Sequence, residues 1–155
     1  MIVRPPGNHC AVSLETASRP PDTAEEVQHW VLDSATELRR LRAGLFEALM
    51  GEPMPPDGRL DDVPEQVAIA ATELATNAIR HGRPPTRVHL RRTEHTFVLD
   101  VADEDPGTVP EVAGPRAPGD GGLGLHIVAE LAEAIGWYAE GTRKHVWAEF
   151  RIPPA

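Results

Sequence analysis

Glu73-Leu74-Ala75-Thr76-Asn77-Ala78-Ile79-Arg80-His81-Gly82 places a carboxylate and a carboxamide four residues apart in an otherwise apolar stretch. In a helix, positions i and i+4 stack on one face. Val67, Ala71, Leu74 and Ala78 fall at the i, i+4, i+7, i+11 spacing of a core-facing row. Gln66, Glu73, Asn77 and Arg80 form a second, polar row. A helix with Glu above Asn beside an apolar row can line a polar cavity. An Asn side-chain oxygen can take one place around Mg²⁺ there, and a neighbouring Glu can accept the proton of an attacking hydroxyl. Alone, such a pair is more often a solvated helix face. A second motif some forty residues on changes the balance.

That motif begins at a strand end. Phe97, Leu99 and Val101 alternate with Val98, Asp100 and Ala102, and period two carries on to Asp103, on the face of Phe97. A carboxylate ending an apolar row is costly to bury without a partner, and an exocyclic amino group such as that of adenine is one such partner. Glu104-Asp105-Pro106-Gly107 follows, and then a loop rich in Gly and Pro. Residues 104–121 read as a lid over a pocket, or as an ordinary surface loop. The loop ends in Asp120-Gly121-Gly122-Leu123-Gly124-Leu125, where glycines opening an amphipathic helix leave backbone N–H groups to meet an anion.

The order of these pieces resembles the GHKL (Bergerat-fold) ATPase superfamily, and within it the small anti-sigma factor/serine-protein kinase branch of actinobacterial type. The resemblance covers roughly residues 30–152, with Glu73 to Gly82 matching the first box and Lys144-His145-Val146-Trp147-Ala148-Glu149-Phe150 the last strand. It implies that Glu73 is the general base, Asn77 the Mg²⁺ ligand and Asp103 the adenine-reading carboxylate. Gly107, Gly122 and Gly124 would be the glycines around ATP. It also implies partners: a sigma factor held off RNA polymerase, and an anti-anti-sigma (STAS-type) protein phosphorylated on serine. Many relatives form homodimers. Two departures are visible. Asp105 stands where the superfamily pattern DxGxG has its first glycine. His145 stands where many relatives carry a Thr that helps to hold the base. Both leave room for an alternative, a non-catalytic partner-binding regulator with a weak or degenerate pocket.

Composition bounds the rest. The 155 residues are enough for one domain with a real core. A formal net charge of −9 argues against general binding to nucleic acid and leaves a basic protein surface as a possible partner. Apolar runs are too short for a membrane span, and the N-terminus lacks the apolar core of a secretory signal, so a cytoplasmic location is expected. The single cysteine, Cys10, excludes an internal disulfide framework. None of the seven histidines has a clean metal-ligand spacing.

Residues 1–24, rich in Pro, Ser and Thr, read as a flexible tail ahead of a single domain over 25–155. His29 to Leu32 reads as an edge strand. Ser34 and Glu37 form a capping box that opens a helix with Leu38, Leu41, Leu45 and Leu49 inward. The motif helix should run from about Asp62 to His81, where Gly82 stops it. Two strands joined by a turn at Thr93-Glu94-His95 should form a hairpin. A helix over 123–134 and strands near 135–140 and 144–152 complete the chain. The expected architecture is α+β: a two-layer sandwich with an antiparallel-rich sheet and three helices on one face.

Overall fold

Period-two runs become strands and the apolar 3.6-residue rows become helices. The structure, a computed structural model, describes residues 2–3, 17–50, 62–107 and 123–152. In chain order the elements are β1 (Ile2–Val3), β2 (Glu25–Leu32), a 3₁₀ turn (Ala35–Glu37) leading into α1 (Leu38–Met50), α2 (Asp62–His81), β3 (Thr86–Arg92), β4 (Thr96–Asp103), α3 (Leu123–Leu131), β5 (Ala134–Glu140) and β6 (Arg143–Arg151). They build a sheet of order β1-β5-β6-β4-β3-β2, antiparallel at every junction among the described residues. β2 is the edge that the sequence predicts. The expected α+β sandwich is the observed one, with α1, α2 and α3 on a single face of the sheet.

The core lies between these layers. From α2 it takes Val67, Ala71, Leu74 and Ala78, the predicted row, together with Ala70 and Ala75. From α1 it takes Leu41 and Leu45, and from the sheet Trp30, Leu32, Val88, Leu90, Leu99, Val101, Ala148 and Phe150. Burying one leucine of this set contributes about 1.5–3 kcal/mol. Small residues dominate the buried face of α2, and alanines let its backbone lie close to its neighbours. The helix packs against α1 and α3 and against β3, β4 and β6, so it is the element around which the helical layer is arranged.

Local chemistry explains the joints. Thr93 Oγ1 accepts the backbone N–H groups of His95 (3.2 Å) and Thr96 (2.9 Å), which shapes the hairpin turn where the sequence places it. The capping box at α1 is half formed. Ser34 is the N-cap but makes no side-chain cap bond; Glu37 reaches back instead to the N–H of Asp33 at 3.0 Å. The third helix is shorter than the expected 123–134. The backbone of Glu133 pairs with Glu149 (2.8 Å) and Ala134 opens β5, so sheet pairing takes residues that helical periodicity claims. Ile135 still enters the core, but from the strand.

The tail expectation needs correction. Ile2–Val3 pair with β5 as an extra short strand. Ser18 donates its N–H to the carbonyl of Trp137 (2.7 Å) and accepts the indole N–H of Trp147 (2.9 Å). Arg19 stacks over Tyr138 at 4.6 Å and pairs with Glu140 at 2.8 Å. These polar residues satisfy backbone and indole groups on the sheet's second face, which hydropathy does not reveal. Residues 4–16 lie outside the described set.

That second face carries a buried polar network. Asp100, fully buried, accepts the Tyr138 hydroxyl (2.8 Å) and Arg91 Nη1 (3.1 Å) on Oδ2, and His145 Nδ1 (2.8 Å) on Oδ1. The His145 and Tyr138 rings stack at 4.4 Å. Burial pushes the Asp100 carboxyl up, but the bond and charge of His145, the Tyr138 hydroxyl and Arg91 outweigh it and hold the group below the usual carboxylate range. Asp100→Ala strands three donors and should lose about 3–5 kcal/mol of unfolding free energy in urea titrations. A depressed folded pKa contributes stability that is complete above the unfolded value of about 3.9 and lost as pH falls through the folded value. Asp100→Asn should therefore show a shallower loss than wild type on acidification below about pH 4.

Candidate functional site

Glu73 and Asn77 sit on the flank of α2 between its buried and exposed faces; both are half-buried. One helical turn, about 6 Å of rise, separates them. Asn77 precedes the buried Ala78, and four residues after Ala78 the helix ends at Gly82, whose N–H bonds the Ala78 carbonyl at 2.9 Å. The left-handed conformation usual for a helix-ending glycine is absent here, since Gly141 alone among the described glycines has a positive φ. Space is what requires glycine at 82. A Cβ there would stand 2.3 Å from Oδ2 of Asp103 and 2.8 Å from the Ala78 carbonyl oxygen. The first motif thus ends in direct contact with the carboxylate of the second.

Asp103 closes β4 on the helix-facing side, as period two predicts, and is buried. Its Oδ1 accepts the backbone N–H of Asp105 at 2.8 Å, which turns the chain away from the strand. Its Oδ2 faces Gly82 and lies 3.5 Å from Lys144 Nζ, a wider gap than the 2.7–2.9 Å of a well-formed charge-assisted bond. Burial raises the Asp103 carboxyl above the usual range, and the Asp105 N–H and Lys144 offset this only in part. Two aspartates three positions apart on β4 therefore shift in opposite directions. Asp100 is saturated with donors; Asp103 is buried with acceptor capacity left over, the pattern expected of a carboxylate kept for a ligand.

The loop after Asp103 is anchored at its start. Glu104 donates its N–H to the Arg83 carbonyl (3.0 Å), and its carboxylate accepts Thr142 Oγ1 (2.8 Å) and Arg143 Nε (3.2 Å) from the β5–β6 turn. The Thr142 hydroxyl, aided by Arg143, holds the Glu104 carboxyl below its ordinary range. Gly107 is exposed in the turn that follows. Gly124 lies in the first turn of α3, which packs against α2. Gly122 and most of the expected lid, 108–121, lie outside the described residues.

Two residues need reassignment. His145 is on the sheet's second face, bonded to Asp100, and does not stand beside Asp103. Lys144 does, and the sequence reading passes over it. The signal was present: counting back by twos from Phe150, Ala148 and Val146 puts Lys144 on the inner face.

A nucleotide fits what these residues offer. Asp103 retains acceptor capacity in a buried place, which its carboxylate reaches because position 82 is glycine. Among the described residues no cluster of three or more His, Cys, Asp and Glu could hold a metal unaided. A Mg²⁺ at Asn77 would draw its other ligands from phosphate oxygens and water.

Comparison with known proteins gives the family. Residues 21–150 match the histidine kinase-like ATPase domain. The chain belongs to that family, part of the GHKL superfamily, and its fold is a nucleotide-binding ATPase sandwich. The signal transduction histidine-protein kinase AfsQ2 of Streptomyces coelicolor is 34% identical over 91 residues, a match that takes in 50% of this chain and 16% of that much longer protein. The Acinetobacter baumannii histidine kinase AdeS superposes with a TM-score of 0.45 at 16% identity, covering 81% of this chain and 68% of that structure. No helix among the described residues is long and apolar enough to cross a membrane.

Gly82→Ala should drive a methyl group into Oδ2 of Asp103, lowering thermal stability by about 1–3 kcal/mol and weakening nucleotide affinity in calorimetric titration. The raised Asp103 pKa carries the opposite sign to that of Asp100. Its stability is complete below about 3.9 and is lost as pH rises through the folded value. The stability of Asp103→Asn relative to wild type should accordingly improve as pH is raised from about 4 to 7, whatever constant cost the unpaired Lys144 adds.

Proposed function

We propose that this chain is an ATP-binding anti-sigma factor that phosphorylates a serine on an anti-anti-sigma, STAS-type protein. The observation that carries the reading is the continuity of α2: one helix presents Glu73, then Asn77, and ends at a glycine seated on the Asp103 carboxylate. A carboxylate one turn before the metal-ligating amide suits a hydroxyl acceptor. A serine hydroxyl must give up its proton as it attacks, whereas a neutral imidazole attacks through a lone pair and needs no base. This favours serine over the histidine chemistry named for the relatives above.

In this reading Asp103 accepts the base amino group and so fixes the nucleotide's direction along α2. Asn77 supplies one oxygen to Mg²⁺, which when bound neutralises phosphate charge. Glu73 takes the serine proton as the serine oxygen bonds to the terminal phosphorus and the bond to the β-phosphate oxygen breaks. Backbone N–H groups where α3 begins at Leu123 and Gly124 steady the phosphate charge. The acidic chain, at −9, suits a sigma factor with a basic surface.

A second reading has its own observation. Asp105 replaces a glycine beside the pocket, and Lys144 already pairs with Asp103. A regulator that binds its partner through the same fold, with a weak pocket and no phosphoryl transfer, would have these features.

Affinity capture from the native lysate, run with Mg·ATP and with Mg·ADP and read by mass spectrometry, separates the two. Kinase-based switching should recover a sigma factor or a small serine-bearing antagonist in a nucleotide-dependent way; equal recovery with both nucleotides favours the second reading. With the antagonist in hand, Glu73→Gln should slow its phosphorylation by roughly 10²–10⁴-fold while ATP affinity holds. An unchanged rate would remove Glu73 as the base. Asn77→Ala should lose only the Mg²⁺-dependent part of ATP binding.

A further inference from the structure

Among the described residues, Lys144 is one of the few charged side chains buried on the helix-facing side of the sheet. Its side chain is 8% exposed and that of Asp103 is 4% exposed. It points inward because it shares a face of β6 with Val146, Ala148 and Phe150, and it sits directly across from Asp103 in the β4–β6 register. Burying a lysine is costly unless a counter-charge meets it. Asp103 is that counter-charge, but at 3.5 Å the pair is loose.

The looseness is informative. Asp103 Oδ1 is engaged by the N–H of Asp105, so Oδ2 is the oxygen that can take a further donor. An ammonium carries three N–H bonds, and its contact with Oδ2 uses one of them. The inner face of β4 and β6 therefore presents an acceptor and a donor side by side. The six-membered ring of adenine offers the complement on adjacent atoms: a donor in the 6-amino group and an acceptor in ring nitrogen N1. Bases held in pockets are commonly read along this edge.

We propose that Lys144 is a specificity-determining residue of the nucleotide site, donating to N1 of the base while Asp103 accepts from the 6-amino group. The inference rests on the nucleotide reading given above. In the structure the Lys144 ammonium stands against Oδ2, where the base amino group would bind. With base bound, it pivots to the ring nitrogen and keeps Asp103 ionised as the acceptor. A merely structural lysine would balance the charge of Asp103 and be indifferent to what stands at position 1 of the ring.

The test is calorimetric titration of the full chain with Mg·ATP, with Mg·1-deaza-ATP, in which C–H replaces N1, and with the triphosphate of purine riboside, which lacks the 6-amino group. Each is titrated into wild type and Lys144→Met, with thermal melts to confirm that the variant is folded. Wild type should bind 1-deaza-ATP weaker than ATP by on the order of tenfold or more, the value of a hydrogen bond to a charged group. In Lys144→Met that ratio should collapse towards one, while loss of the 6-amino group still costs affinity in both proteins. An equal N1 penalty in wild type and variant overturns the assignment. So does wild type binding 1-deaza-ATP as tightly as ATP, a result that stands even where the variant does not fold. Wild type failing to bind ATP at all would instead bring down the nucleotide reading itself, and this assignment with it.

Discussion

The approach of Gly82 to the Asp103 carboxylate is the constraint on which the site depends. It joins the end of α2 to the end of β4, two segments about twenty residues apart in the chain. Any side chain at position 82 would prise them apart, because its first carbon would stand 2.3 Å from Oδ2, well short of van der Waals contact distance. Once that contact is set, the rest of α2 is placed by helical rise alone. Asn77 and Glu73 stand at successive turns back from the carboxylate, on the flank beside the buried alanines. Rigid secondary structure thus turns one short contact into the alignment of three polar side chains.

β4 shows how a single strand serves two purposes. Alternation sends Asp100 to one face of the sheet and Asp103 to the other. On the second face Tyr138, Arg91 and His145 saturate Asp100, so its charge is fully compensated and binds β3, β4, β5 and β6 together. On the helix face Asp103 has one backbone donor and one distant ammonium. The same residue type is structural where donors are plentiful and available for chemistry where they are few. The opposite directions of the two pKa shifts express that difference.

The second face also accounts for the strands' composition. Val98, Ala102, Ala134 and Trp147 are buried there, although the three helices lie on the other side. Residues 17–24 help to cover it, with Ser18 bonded to β5 and β6 and Arg19 laid over Tyr138. Gly136 makes room, since a Cβ at that position would stand 2.4 Å from Ser18 Oγ. A segment without apolar periodicity can be held in this way because the backbone N–H and carbonyl of Ser18 and the guanidinium of Arg19 meet polar and aromatic groups on the sheet. Hydrophobic patterning carries no trace of such docking.

What the sequence determined by itself is what depends on local periodicity and local chemistry. The apolar row of α2, its limits at Asp62 and His81, the hairpin at Thr93 to His95, the inward turn of Asp103 and the α+β class all follow from spacing, turn residues and alternation. The ordered motifs Glu73 to Gly82 and Asp103 to Gly124 pointed to a GHKL-type ATPase before any contact was known. Tertiary structure alone decided what each long-range neighbour is. Helix against strand pairing near Ala134 was settled by a partner on β6. The pairing of Lys144 with Asp103, at 3.5 Å across the sheet, was settled by the register of β6 against β4. The need for glycine at 82 came from a carboxylate twenty-one residues further on. Each of these turns on a distance between residues far apart in the chain, and a distance of that kind is set by packing, which no local window of sequence contains.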